Sequence, residues 1–472
     1  MSAPEAPVHE ESFALRSIIG GPTKQFFEEI WQKACVLYSN KIDIADNCPA
    51  HTSFHVKQVQ ASPYHELLRN NFSSLVQLLE KSRRRYSEFE SETAALVDRD
   101  FPLLFQQREI VSPDPYNHSL FHAYLNGCSV VVNHADETCP YLAALCLDLQ
   151  KSLPHAYANT YLTPPDSQAV PPHADDRDVL ILQVYGKKQW KVYKTIPIPY
   201  PYPQEQVGKD GLEVPPQVLE GPCLIDCVLE SGDVLYMPRG YVHQAQTVSN
   251  MPSYHVTIAL ATHDWTLAGL VTSATQHTLH RIIPYRQALP VHLGRVGANT
   301  TEDTIALQGQ LDAVFDELKA RITADTVIRN LTHRYDLHNN RSSPIRLAIM
   351  NEASRDCTTA TTTVATNVVF GREAATLVQM STRLRAATLD EKASLVVPGS
   401  PPRGLLVREA IADTIMEILA RLKSVEGITC RVRDLRELVH PSKLSPMVCD
   451  LTLLSFAKSC VELGAIAVVP DI

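Results

Sequence analysis

Eleven cysteines are scattered along this chain without a single CxxC pair, and the closest two, Cys223 and Cys227, are four positions apart. An odd, unpaired set gives no framework for disulfides and points to a reducing compartment. No apolar run is long enough to span a bilayer, and Met1 to Ser12 is acidic and polar, lacking the apolar centre of a secretion signal. A soluble intracellular protein is expected. Positive charge is not in excess either: 43 Lys and Arg stand against 52 Asp and Glu, a net charge of −9. That balance gives no support to broad nucleic-acid binding and favours the approach of a basic partner. The run Arg83-Arg84-Arg85 reads as a solvated helix face, and no clear basic import signal is present. What the chain does have is length and apolar content: 472 residues, 44% of them hydrophobic, are enough for two or three domains and a sizeable core.

Its chemistry is concentrated in His173-Ala174-Asp175, answered seventy positions later by His243 within Gly232-Asp233-Val234-Leu235-Tyr236-Met237-Pro238-Arg239-Gly240-Tyr241-Val242-His243. Residues i and i+2 of an extended strand point the same way, so His173 and Asp175 can converge on one ion from one strand edge. His243 would arrive from another strand, where Tyr241, His243 and Ala245 share a face. Two imidazoles and one carboxylate are a set that holds ferrous iron on one side and leaves positions open on the other. An isolated HxD is common, and a lone strand histidine is more often a hydrogen-bonded core residue. The flanking sequence gives this one its weight.

Val179 to Tyr185, Gly186, then Lys188 to Tyr193 reads as two strands around a short turn. In the second of them Lys188, Trp190 and Val192 share a face and Lys187, Gln189 and Lys191 share the opposite, polar one. Lys188 is thus predicted to point inward. A buried ammonium is unfavourable unless an anion meets it, and a cosubstrate carboxylate would serve; snorkelling to water from the hairpin end is the alternative. Ser253 to Ala261 alternates with His255, Thr257, Ala259 and Ala261 on a small, partly polar face. Asn159 and Tyr161 share one side of a strand that breaks at Pro164-Pro165. Five short strands of this kind suggest a double-sheet jelly roll whose open end holds a metal and a small acid.

These runs together resemble the JmjC ribosomal oxygenases, ferrous, 2-oxoglutarate-dependent protein hydroxylases. The resemblance is carried by Asn159-Thr-Tyr161-Leu-Thr-Pro-Pro165, His173-Ala-Asp175-Asp176, Leu182-Gln183 with Gly186-Lys187-Lys188-Gln189-Trp190, Gly232 to Gly240, His243-Gln-Ala245 and His255-Val-Thr257-Ile, with weaker likeness at Phe26 to Trp31 and Asn133 to Asp136. It covers most of residues 20 to 345. In length the chain is similar to the family's shorter member, without the long N-terminal extension of the nucleolar relative. The resemblance implies iron ligation by His173, Asp175 and His243, capture of the distal 2-oxoglutarate carboxylate by Lys188, and a cosubstrate and target pocket lined by Asn159, Tyr161 and Thr257, with Tyr161 nearest the chemistry. Dioxygen would be the second cosubstrate. Histidine β-carbon hydroxylation in a ribosomal protein is the implied reaction, with histone lysine demethylation as the alternative. Two departures, Ala174 where relatives commonly carry Tyr and Ala259 where they carry Ser, leave open a catalytically silent binding module.

The expected fold is mainly β with α: a double-stranded β-helix (jelly-roll, cupin-like JmjC) followed by a helical block and a winged-helix domain. Residues 1–20 are expected as a polar tail, 21–270 as the JmjC catalytic domain, 271–344 as a helical, dimerisation-like block and 345–472 as the winged helix. Leu307, Leu311, Val314, Phe315, Leu318 and Ile322 recur at helical spacing between Thr304 and Ile328, and Asn339 to Pro344 reads as a polar break. This block resembles the region through which relatives dimerise, and equally an amphipathic helix packed on its own barrel. Further on come a Thr-rich stretch at 358–366, a proline-marked loop at 398–402, an amphipathic helix through Ile411, Ile415, Ile418, Leu419 and Leu422, a second helix from Leu451 to Leu463 and a strand from Ala465 to Val469. The candidate recognition helix, Leu451 to Lys458, has one Lys and offers few phosphate contacts, which argues against DNA binding. The family resemblance implies residence in the nucleus or nucleolus, or the cytoplasm; the lack of a long apolar run leads to the expectation of no membrane partner.

Overall fold

The structure is a computed structural model; it describes residues 11–39, 51–53, 62–88, 102–116, 119–153, 155–209, 211–295, 300–356, 367–370, 393–397, 403–424, 429–441, 444, 448–463 and 466–469. The Thr-rich stretch and the 398–402 loop lie outside them, as do the side chains of Arg83 to Arg85 within the helix Asn71–Glu88. The chain divides into two units, residues 1–260 with 345–472, and residues 261–344. Among the described residues no helix is long and apolar enough to cross a membrane.

Among the described residues of the first unit up to residue 260 there are eleven strands: β1 Val36–Ser39, β2 His51–Ser53, β3 Leu103–Gln106, β4 Glu109–Val111, β5 Ser129–Val132, β6 Ala156–Thr163, β7 Asp178–Tyr193, β8 Cys223–Glu230, β9 Val234–Met237, β10 His243–Thr247 and β11 Ser253–Leu260. The larger sheet runs β2-β1-β9-β7-β11-β6-β5-β3-β4, and the smaller one pairs β8 and β10 with the far half of β7. All of these pairings are antiparallel except β1 with β2. This is the double-sheet jelly roll expected from the alternating strands.

One expectation is corrected. Residues 178–193 are one strand of 16 residues, not a hairpin. Val179 to Leu182 pair with β9 and Asp178 to Gly186 with β11, after which Lys187 to Tyr193 pair with β8 and Lys188 to Val192 with β10. Gly186, at φ +69°, lets the strand leave one sheet for the other; a Cβ there would lie 1.8 Å from the Pro252 carbonyl oxygen. Glycine between two β runs signals a bend as readily as a turn. The register with β11 shifts nearby, between Tyr254 and His255.

The near half of β7 is buried on both faces, which explains its unbroken apolar run. Leu180, Leu182 and Val184 join Val256, Ile258 and Leu260 in packing against the helices Phe13–Ile19, Pro63–Arg69 and Pro140–Leu149. Val179 and Ile181 face the space between the sheets, with Trp190, Val192, Ile225, Leu229, Leu235 and Met237. At ~25 cal/mol per Å² of buried apolar area such packing stabilises the roll, and three of these residues, Val179, Ile181 and Trp190, also line the cleft described below.

The expected polar tail of residues 1–20 contains a buried helix instead: Ala14, Leu15, Ile18 and Ile19 are buried in the helix Phe13–Ile19, which Ser12 caps by accepting from the Leu15 amide. The residues after 344 join the first unit. Leu451 sits in the barrel's own core, and the helix Asp450–Glu462 buries most of its side chains. Lys458, the lysine of the candidate recognition helix, bonds to Glu80 and lies over the Phe121 ring. This helix is a core element. This part also includes the helix Glu409–Ser424, a three-stranded antiparallel sheet of Asn367–Phe370, Thr429–Arg431 and Ile466–Val469, and the paired strands Ala393–Val397 and Arg403–Val407.

In the second unit the helices are Leu267–Leu279, Thr301–Arg321 and the start of Ala324–Asp356. The polar break expected at Asn339 to Pro344 is helical instead, with Pro344 inside the long helix. Two residues beyond that proline, Arg346 is buried and bonds through its guanidinium to Asp136, Gln150 and the Ala156 carbonyl. Tertiary bonds of that kind outweigh the ~3 kcal/mol that an interior proline takes from a helix. Ile305, Phe315, Ile328 and Leu337 are exposed.

Candidate metal and cosubstrate site

His173 and His243 are joined by a two-residue antiparallel bridge: the His173 amide donates to the His243 carbonyl at 3.1 Å, and the His243 amide donates back at 2.9 Å. The bridge sets the two rings 4.4 Å apart at 58°. Asp175, two residues from His173, stands between them, with one oxygen 3.7 Å from His173 Nε2 and the other 3.8 Å from His243 Nε2. One donor atom from each lies within 4.8 Å of the other two. Each imidazole has its other nitrogen engaged: His173 Nδ1 is 2.8 Å from the Pro171 carbonyl oxygen and His243 Nδ1 is 3.1 Å from that of Tyr241. A carbonyl accepts only, so both rings carry their proton on Nδ1 and present a bare Nε2.

The charge states suit a cation. Burial, then the ammonium of Lys209 and the neighbouring His243, push His173 down to about 3, so that it is neutral. Burial also lowers His243. For Asp175 burial works in the opposite direction, but Lys209 and the two imidazoles outweigh it and hold the carboxyl well below the usual range. Two neutral imidazoles and an ionised carboxylate are the deprotonated state that metal ligands need.

Beside this trio opens a cleft lined by Tyr161, Lys188, Trp190, Ala245, His255 and Thr257 together with the three metal-site residues. Lys188 is 2% exposed, and its Nζ donates to the Thr163 hydroxyl at 3.0 Å. Among the described residues no carboxylate pairs with it. Burial pushes Lys188 down to about 7. Across the cleft the rings of Tyr161 and His255 stack at 4.7 Å and 2°, Trp190 meets His255 edge-on at 5.3 Å, and Trp190 stacks on His243 at 6.0 Å. Burial raises the Tyr161 phenol and lowers the His255 imidazole, leaving both neutral.

The structure thus gathers His173, Asp175, His243, Lys188, Tyr161 and Thr257 around one space. Asn159 is set apart: it does not line the cleft, and its Oδ1 accepts from the His134 amide, a residue at φ +49°. Two participants escape the sequence reading. Thr163 is legible in retrospect, because Asn159, Tyr161 and Thr163 alternate along β6. Lys209, which donates to Asp175 Oδ1 at 2.6 Å, is not: it lies 34 positions away in a loop with no motif of its own.

Residues 138–267 match the family model described as a JmjC domain. Over 223 residues the chain is 31% identical to the bifunctional lysine-specific demethylase and histidyl-hydroxylase NO66 of Drosophila mojavensis, which covers 42% of this chain and 24% of that one. It is also 38% identical over 151 residues to ribosomal oxygenase 1 of Gallus gallus, covering 31% and 24%. Residues 138–267 are thus similar to a JmjC domain, and the two relatives carry the names of a histidyl-hydroxylase and a ribosomal oxygenase. The chain spans about a quarter of the length of each of these two relatives. A solved structure titled as YcfD, a ribosomal oxygenase from Escherichia coli in complex with cobalt and 2-oxoglutarate, aligns over 95% of this chain and 98% of that one, at 14% identity and a TM-score of 0.36. The JmjC segment runs from Thr138 through all of β6 to β11, so the metal trio, Lys188 and the cleft all lie within it.

Proposed function

We propose that this chain is an Fe(II)- and 2-oxoglutarate-dependent oxygenase that hydroxylates a histidine of a ribosomal protein. One observation carries the reading: Lys188, buried and without a carboxylate partner among the described residues, opens onto the same cleft as a histidine-aspartate-histidine trio. A metal alone has no use for that ammonium. A dicarboxylate that chelates the metal at one end and reaches Lys188 at the other uses both.

His173 Nε2, His243 Nε2 and an Asp175 oxygen would hold the iron, which when bound supplies the oxidising chemistry toward dioxygen that no side chain provides. Lys188 and the Thr163 hydroxyl receive the distal carboxylate through charge-assisted bonds. Thr257 faces the same space, and the Tyr161, His255 and Trp190 rings form dry walls that fix the cosubstrate and exclude water. The Pro171 and Tyr241 carbonyls keep both imidazoles in the ligating tautomer.

The open cleft and the intact trio speak against a silent binding module. Ala174 is buried away from the cleft, among Tyr193, Val207, Val218 and Val242, and Ala259 is buried without narrowing the site. The name of the NO66 relatives supports a demethylase as the second reading. The partner class we propose is a ribosomal protein, with a histone tail for the second reading. A homodimer is proposed through residues 261–344, where Ile305, Phe315 and Ile328 are exposed. Succinate formation with Fe(II), 2-oxoglutarate, dioxygen and a panel of ribosomal-protein peptides tests the reading, with methylated and unmethylated histone peptides as the other arm. Histidine-containing peptides should gain 16 Da and His173→Ala should abolish turnover. Turnover driven by methyllysine peptides alone would replace the hydroxylase with the demethylase, and equal turnover by His173→Ala would remove the metal assignment.

A further inference from the structure

Lys209 donates to Asp175 Oδ1 at 2.6 Å and reaches Gln206 Oε1 at 3.4 Å. The loop that carries it is fastened to the segment His173-Ala174-Asp175, which lies outside the named strands. The Ala174 amide, between the two ligands of that segment, donates to the Val207 carbonyl at 2.8 Å. Gly208, at φ +83°, lies so close that a Cβ there would sit 2.3 Å from the Pro172 carbonyl oxygen and 2.7 Å from His173 Cα. A tight turn closes behind it, with Gly208 donating to the Leu212 carbonyl and Leu212 donating to that of Lys209 at 3.0 Å. Room for the approach comes from Ala174, whose methyl packs against Val207 where a larger side chain would push the loop away.

We propose that Lys209 is a positioning residue for Asp175: it engages Oδ1, so that the carboxylate offers the metal a single oxygen, Oδ2, on the side of His243. The inference rests on the metal-site reading above. A free carboxylate can swing to bind through both oxygens and take up a position that an oxygenase needs open. A carboxylate with one oxygen already bonded cannot do so without giving up a charge-assisted hydrogen bond. Because the turn is tied through Ala174 and Gly208, the ammonium is delivered by the backbone rather than by a wandering side chain, although a third of it remains exposed.

The test is anaerobic Co(II) titration of the full chain, followed by visible d–d absorption, for the native protein, Lys209→Met, Lys209→Arg and Gly208→Ala. Loss of a bond to a metal ligand typically weakens binding by ~10- to 100-fold. Lys209→Met should therefore bind Co(II) at least tenfold more weakly, with a changed band intensity as the coordination number changes. Arg should restore part of both, and Gly208→Ala, which lifts the loop, should reproduce the Met spectrum. An unchanged spectrum and affinity in Lys209→Met would overturn the positioning role while leaving the metal site standing. Tighter binding would also overturn it, making Lys209 a cation that the metal must displace. No uptake by the native chain would remove the metal-site reading itself.

Discussion

Lys188 and Thr163 meet end to end between the two sheets: the ammonium donates to the hydroxyl at 3.0 Å, and both side chains are buried. A charge placed so is a liability to the fold and an asset to a site, and its consequences can be measured.

Replacing Lys188 with Met keeps the volume and removes the charge. Apolar replacement of buried ionic groups is often stabilising by ~1–4 kcal/mol, and a gain of about 2 kcal/mol should raise the melting temperature by several degrees. The same variant should take up Co(II) normally yet fail to bind 2-oxoglutarate in calorimetry. A lower melting temperature, or unchanged binding, would contradict the role given to Lys188.

The pH dependence follows from the same group. Lys188 free of ligand loses its proton near pH 7, whereas a bound carboxylate requires it charged and raises its pKa. Below about 7 the ammonium is already present, and above it binding must take up a proton. The affinity of the Co(II)-loaded protein for 2-oxoglutarate should accordingly fall by up to ~10-fold per unit as pH rises above 7. A flat profile between pH 7 and 9 counts against it.

Trp190 stacks on the His243 ring at 6.0 Å and is one of three tryptophans. Paramagnetic Co(II) held by His243 should quench its fluorescence. Emission titrations of the native chain and of Trp190→Phe check this: most of the quenching should vanish in the variant, and quenching of equal depth would place the ion elsewhere.

Gly186 tests the architecture. Alanine there would meet the Pro252 carbonyl in a left-handed backbone, a strain of roughly 3 kcal/mol. Denaturant unfolding should show Gly186→Ala destabilised by about that amount, with weakened binding of 2-oxoglutarate because Lys188 lies just beyond the bend. Native stability would argue against a continuous strand.

The inward face of Lys188, Trp190 and Val192 was legible because alternation in a strand is a local property. His173 and Asp175 do meet, yet not as neighbours on a strand edge: His173 makes an isolated bridge and Asp175 lies outside the named strands. The bend at Gly186 was not legible, because a hairpin and a sheet-crossing strand share the same local pattern and differ only in which distant strands pair with each half. Asn159 shares a face with Tyr161 by sequence, yet its carboxamide is taken by the His134 amide, a competition between partners 25 residues apart. The helix through Pro344 defied its local signals for the same reason, held beyond the proline by Arg346 and Asp136.

The sequence alone determined the chemical inventory of the site, the strand faces that carry it and the jelly-roll class, because residue type and period-two alternation need no knowledge of the remainder. Tertiary structure alone decided that His243 lies against His173, that Thr163 meets Lys188 and that Lys209 fastens Asp175. Those contacts depend on strand register and loop closure, which the whole core fixes together.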